Sequence, residues 1–86
     1  MKIDKDEILK NYCYTELVYG RINKKLKADF SKEESEALIK KVLKETELEF
    51  YEKIGKNFYI SNPQHNLKIT INSNTFRVIT VDRIIK

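Results

Sequence analysis

The sequence predicts an α+β fold: two to three N-terminal helices packed on one face of a four-stranded antiparallel meander sheet. Up to residue 46, apolar residues recur at three- and four-residue spacing behind capping residues. From Leu48 the period falls to two. The turn signals beyond that point are closely spaced, as a meander requires. A chain of 86 residues allows one domain, helical over 4–46 and sheet-forming over 48–82.

Asp4 with Glu7 has a capping-box arrangement, and Ile8, Leu9, Tyr12 and Cys13 share one stripe of a helix near 4–12. Thr15 caps a second helix near 15–27, on which Val18, Ile22 and Leu26 repeat at spacing four. Gly20 costs about 1 kcal/mol relative to Ala in such a helix, which points to a close helix contact. Ser31 and Glu34 form another capping box, opening a helix near 32–46 with Ala37, Leu38, Val42 and Leu43 as its buried stripe. Glu33, Glu36, Lys40 and Lys44 make its solvated face.

Leu48, Phe50 and Glu52 then alternate with Glu49, Tyr51 and Lys53, and Gly55-Lys56 is a turn. Phe58 and Ile60 alternate with Asn57, Tyr59 and Ser61, ahead of the turn Asn62-Pro63-Gln64-His65. Leu67, Ile69 and Ile71 alternate with Lys68, Thr70 and Asn72. A two-residue turn at Ser73-Asn74 leads into the last strand, 75–81.

Charge sharpens the reading. Seventeen Lys and Arg stand against thirteen Asp and Glu, a net +4. Residues 1–50 hold eleven of each sign, whereas 51–86 hold six bases and two acids, so the surplus belongs to the strands. That asymmetry suits an anionic partner. No apolar run approaches ~18 residues and no charged-then-apolar leader opens the chain, so neither a membrane span nor export is expected. One Cys and one His build neither a disulfide nor a structural zinc site. A reducing, cytoplasmic setting follows. No phosphate loop or dinucleotide fingerprint is present, and no metal or other cofactor is expected.

The two-residue turn sets Asn72 opposite Thr75, Ile71 opposite Phe76, Thr70 opposite Arg77 and Lys68 opposite Ile79. Phe76 and Val78 then join the core. The other face gathers Tyr51, Lys53, Asn57, Tyr59, Lys68, Thr70, Asn72 and Arg77, with Lys56 in the adjoining turn. Rings interleaved with bases suit single-stranded nucleic acid, where cations follow phosphates and each ring stacks a base for ~1–3 kcal/mol. Tyr and Thr are favoured on any strand and Lys protects edges, so an ordinary solvated sheet shows the same face. Ile79 and Val81 share it and need a cover, from 83–86 or from a partner protein. The last strand is also an edge that pairs across a twofold axis into a homodimer. His65 is expected to be solvent-exposed and inert, and Cys13 a buried filler. Arg21, Lys24, Lys25 and Lys27 form a basic run on the second helix, with Arg21 and Lys25 sharing a face open to phosphate.

Three blocks carry a resemblance: Thr15-Glu16-Leu17 with Arg21-Ile22 and Leu26; Gly55-Lys56-Asn57-Phe58-Tyr59-Ile60; and Ile69-Thr70-Ile71-Asn72 with the 75–80 segment. In that order the chain, over residues 12–82, resembles a family of small bacterial and phage-borne proteins known only as a domain of unknown function, family 3781. Members often end the last strand with Thr-Ala-His. Here Thr80-Val81-Asp82 lacks the histidine, so no role of that histidine passes to Asp82. More distantly, helices followed by a four-stranded sheet resemble the barnase, colicin and RelE-type ribonuclease superfold. That likeness implies metal-independent RNA cleavage, with Arg77 stabilising a phosphorane, Lys68 or Lys56 clamping phosphate, and Tyr59 or Thr70 assisting proton transfer.

The leading expectation is a non-enzymatic binding protein that engages RNA or a nucleoprotein through the basic, aromatic sheet face. A toxin-type ribonuclease is the enzymatic alternative, with Arg77, Lys68 and Tyr59 as its candidate catalytic residues. The third is an inhibitor of a host defence nuclease carried by a mobile element, in the manner of an anti-CRISPR protein; the +4 charge speaks against an acidic nucleic-acid mimic.

Overall fold

The computed structural model describes residues 3–84. Helices α1 (Lys5–Asn11), α2 (Glu16–Leu26) and α3 (Lys32–Glu45) precede strands β1 (Tyr51–Ile54), β2 (Asn57–Asn62), β3 (Leu67–Asn72) and β4 (Val78–Arg83). The strands form one antiparallel sheet in the order β1-β2-β3-β4, the expected α+β meander.

Capping decides where the helices begin. The Asp4 side chain accepts from the Glu7 N–H at 3.1 Å, and Ser31 and Glu34 close a reciprocal capping box at 3.1 and 2.9 Å. Thr15 precedes α2 without a side-chain cap bond. Lys5 Nζ donates to the carbonyls of Lys44 (3.1 Å) and Thr46 (2.6 Å), so α1 satisfies the orphan carbonyls at the end of α3. Asn23 brackets Phe30, donating to its carbonyl at 3.1 Å and accepting from its N–H at 2.9 Å. That bracket fixes the α2–α3 connection.

One apolar core lies between the layers. Ile8, Val18, Ile22, Ile39, Val42 and Leu43 from the helices meet Ile60, Ile69, Ile71, Val78 and Val81 from the sheet. Burying each such side chain contributes about 1.5–3 kcal/mol. The α3 stripe differs from expectation: Ile39 and Ser35 are buried, Leu38 is half-buried and Ala37 is exposed. Cys13 is exposed rather than a filler. Gly20 marks no close contact, because nothing lies within 4 Å of where its Cβ would sit.

The strands depart from expectation at two places. Residues 48–50 form a 3-10 turn, not strand, and its exit reverses the phase of β1. Tyr51 stands opposite Ile60 and is buried, its hydroxyl donating to the Leu43 carbonyl at 2.7 Å. A ring of that size, with its polar tip satisfied by a helix end, belongs in the core. Lys53 follows at spacing two, opposite Phe58, and so leaves the outer face as well.

The β3–β4 connection is the second place. Asn72 Oδ1 accepts from the N–H groups of Asn74 (2.8 Å) and Thr75 (3.0 Å), and the Asn72 carbonyl accepts from Phe76 N–H at 2.9 Å. The turn is therefore longer than two residues, with Phe76 at φ 58°. Asn72 stands opposite Arg77, and Ile71 opposite Val78 rather than Phe76. Between Thr70 and Ile71 the register shifts again, because Ile79 is an extra residue on β4. This bulge lets Val78 and Val81, three apart, both reach the core. Val81 is 1% exposed, so it needs no cover from the end of the chain. Ile85 and Lys86, two residues of that expected cover, lie outside the described residues.

At the start of β4, the edge expected to pair two copies, the chain itself forms one bridge. Cys13 N–H donates to the Phe76 carbonyl (2.9 Å) and Val78 N–H donates to the Cys13 carbonyl (2.8 Å), a short parallel bridge. Beyond it α2 packs on β4: Lys25 pairs with Asp82 at 3.5 Å, and Arg83 Nη2 donates to the Leu26 carbonyl at 2.8 Å.

Candidate functional site

Of the nine residues expected on the outer sheet face, the structure keeps Asn57, Tyr59, Lys68, Thr70 and Asn72 together. Glu52, Tyr59, Thr70 and Thr80 line up across the four strands, and Ser61, Lys68 and Asp82 form the next row. Lys68 Nζ sits 5.7 Å over the Tyr59 ring, a cation–π contact. Asn57 Nδ2 donates to the Tyr59 hydroxyl at 3.4 Å. Asn72 spends its side-chain oxygen inside its own turn, and Thr70 is only 6% exposed. Tyr51 and Lys53 stand on the helix side, and Lys56 lies in the β1–β2 turn, where its carbonyl accepts from Ser73.

A cleft of about 530 Å³ opens on this face, lined by Glu49, Phe50, Glu52, Ile54, Tyr59, Ser61 and Lys68. Two carboxylates face one ammonium there. The outer face is therefore not the basic surface that alternation suggested, because the reversed phase of β1 exchanged Tyr51 and Lys53 for Glu52 and Ile54.

Arg77 lies elsewhere. With Thr15, Leu17, Arg21, Asn72, Thr75, Val78 and Ile79 it lines a cleft of about 270 Å³ between α2 and the start of β4. A neighbouring cleft of about 360 Å³ shares Arg21 and Ile79 and adds Lys24, Lys25 and Thr80. Four bases thus surround two apolar side chains, Leu17 (70% exposed) and Ile79. Lys25 is paired with Asp82, whereas Arg21, Lys24 and Arg77 enter no ion pair among the described residues. Like charges gathered without counter-charge raise the local potential and draw anions to it. The basic run on α2 was legible as a run; that Arg77 joins it follows only from the β3–β4 turn. Leu17 falls one position off the Val18, Ile22, Leu26 stripe, which is the sequence signal for an exposed apolar side chain here.

Of the ribonuclease candidates, Tyr59 and Lys68 touch, and Arg77 lines a different cleft. Three tyrosines are held as neutral phenols. The hydrogen bond that Tyr19 donates to Glu36, together with burial, pushes its hydroxyl up to about 12. Burial pushes Tyr51 up to about 12 and raises Tyr14 as well. His65, expected to be exposed and inert, is half-buried with Nε2 3.2 Å from Glu45 Oε2, outside these three clefts. Among the described residues no three His, Cys, Asp or Glu side chains gather as a metal-ligand set, and no helix is long and apolar enough to cross a membrane.

No curated protein and no solved structure matches the chain, so the resemblance to the ribonuclease superfold gains no support there. A family model does match: the one described as "Protein of unknown function (DUF3781)" covers residues 6–82, nearly the whole chain. The protein belongs to that family.

Proposed function

We propose that the protein is a non-enzymatic binding module that engages RNA, alone or within a nucleoprotein, through the surface shared by α2 and the loop before β4. The observation that carries this reading is the convergence of Arg21, Lys24 and Arg77, without acidic partners among the described residues, around exposed Leu17 and half-buried Ile79. Phosphates take the three cations, and the apolar side chains give a base or sugar a dry surface to rest on. The outer sheet face suits RNA less, because Glu49 and Glu52 repel phosphate beside its one base.

Fluorescence anisotropy with a labelled single-stranded RNA tests the reading. Three phosphate contacts at a slope of about 0.7 each imply a roughly twentyfold loss of affinity between about 50 and 200 mM salt. The double variant Arg21→Glu/Lys24→Glu should abolish that binding. Affinity that ignores salt, or survives the double reversal, defeats the proposal. The same RNA on a denaturing gel separates the enzymatic alternative: cleavage by the wild type that disappears in Arg77→Ala would favour a ribonuclease.

A further inference from the structure

The cleft on the outer sheet face is chemically opposite to the α2 surface. Phe50 (40% exposed) and Ile54 (56% exposed) form its apolar part. Glu49 and Glu52 stand beside them, while the one base, Lys68, is held over Tyr59. At about 530 Å³ the cleft admits one or two side chains rather than a folded domain. Glu52 and Ile54 share one face at spacing two, the repeat of an extended chain.

We propose that this cleft docks an extended segment of a partner protein that presents an apolar side chain with Lys or Arg two residues to either side, on the same face of the segment. Charge complementarity selects that occupant. The carboxylates meet the partner's cations, Phe50 and Ile54 meet its apolar side chain, and phosphate-bearing ligands are repelled. This surface is separate from the α2 surface, and the inference holds whether or not RNA binds there.

Amide spectra of the ¹⁵N-labelled full chain decide it, with the hexapeptides Lys-Ser-Phe-Ser-Lys-Ser and Glu-Ser-Phe-Ser-Glu-Ser as probes, in which the charged and aromatic side chains share one face of the extended chain. The basic peptide should shift amides of 49–54, 59 and 68, and the acidic one should not. Glu49→Lys/Glu52→Lys should weaken the basic peptide about tenfold, since two exposed attractive pairs become repulsive. Both positions are exposed, and the variant's own spectrum reports whether it has folded. The proposal falls if the basic peptide shifts nothing at about 1 mM. It also falls if both peptides act alike or the shifts map to α2. Shifts of the same amides on concentrating the protein without peptide would overturn it too, giving the cleft to a second copy of the chain.

Discussion

The backbone N–H of Asn72 donates to the carbonyl of Arg77 at 2.9 Å, and this pairing decides which surface receives the Arg77 guanidinium. Had Arg77 stood opposite Thr70, it would have joined Tyr59 and Lys68 on the sheet. Opposite Asn72 it stands at the last residue of β3 and lines one cleft with Arg21. The Asn72 side chain holds that register by closing the turn on Asn74 and Thr75.

Asn72→Ala removes the one side-chain acceptor for two turn N–H groups and should lower stability by about 1 kcal/mol. Asn72→Asp keeps the acceptor and should stay within about 0.5 kcal/mol of wild type. Urea denaturation measures both. Equal stability of Asn72→Ala and wild type would show that the turn is held by its backbone alone.

Arg77 and Lys68 should part company in RNA affinity. Arg77→Ala removes one of the unpaired cations on the α2 surface and should cost about three- to tenfold at low salt, with a shallower salt slope. Lys68→Ala should change affinity less than about twofold, because its ammonium lies over Tyr59 beside two carboxylates. The opposite ranking, measured by anisotropy with one RNA, would return the interface to the sheet face.

The layer order and the helices were legible because their signals are local. Ser31 and Glu34 cap within one turn, and Val18, Ile22 and Leu26 repeat without interruption. The candidate site depended on longer-range facts. Tyr51 alternates as an outward residue if the strand starts at Leu48, and only the 3-10 turn at 48–50 reverses it. Ser73-Asn74 has the composition of a tight hairpin, yet Asn72 extends the turn and Ile79 bulges out of β4. The first error put Lys53 on the wrong face, and the second put Arg77 two residues away along its own face, in the wrong cleft. The C-terminal charge surplus thus does not coat the sheet: Lys53 and Lys56 are off its outer face, Arg77 stands at its β4 edge in a different cleft, and Lys68 meets Glu49 and Glu52.

Gly20 lies within α2 with open space around its missing Cβ and no positive φ. Gly20→Ala should therefore stabilise the protein by about 0.5–1 kcal/mol by restricting the unfolded chain and favouring helix. For a domain of this size that is a rise in melting temperature of about 3–6 °C. A fall would mean that another molecule packs closely against this face of α2.

Tyr51 should make the protein sensitive to alkali. Burial pushes its hydroxyl up to about 12, against about 10 in an unfolded chain. Below pH ~10 both states keep the proton and the stabilisation is whole. As pH rises toward ~12 the unfolded state releases the proton while the folded state retains it, so stability falls through that window. Tyr51→Phe loses the bond to the Leu43 carbonyl, about 1 kcal/mol at neutral pH, but has no phenol to ionise. Every other ionisable group is common to both proteins, so the difference between their stability curves isolates Tyr51. The gap should narrow above pH ~10 and close or reverse near pH ~12. A gap constant across that range would mean that the Tyr51 hydroxyl ionises as readily in the folded chain as in the unfolded one.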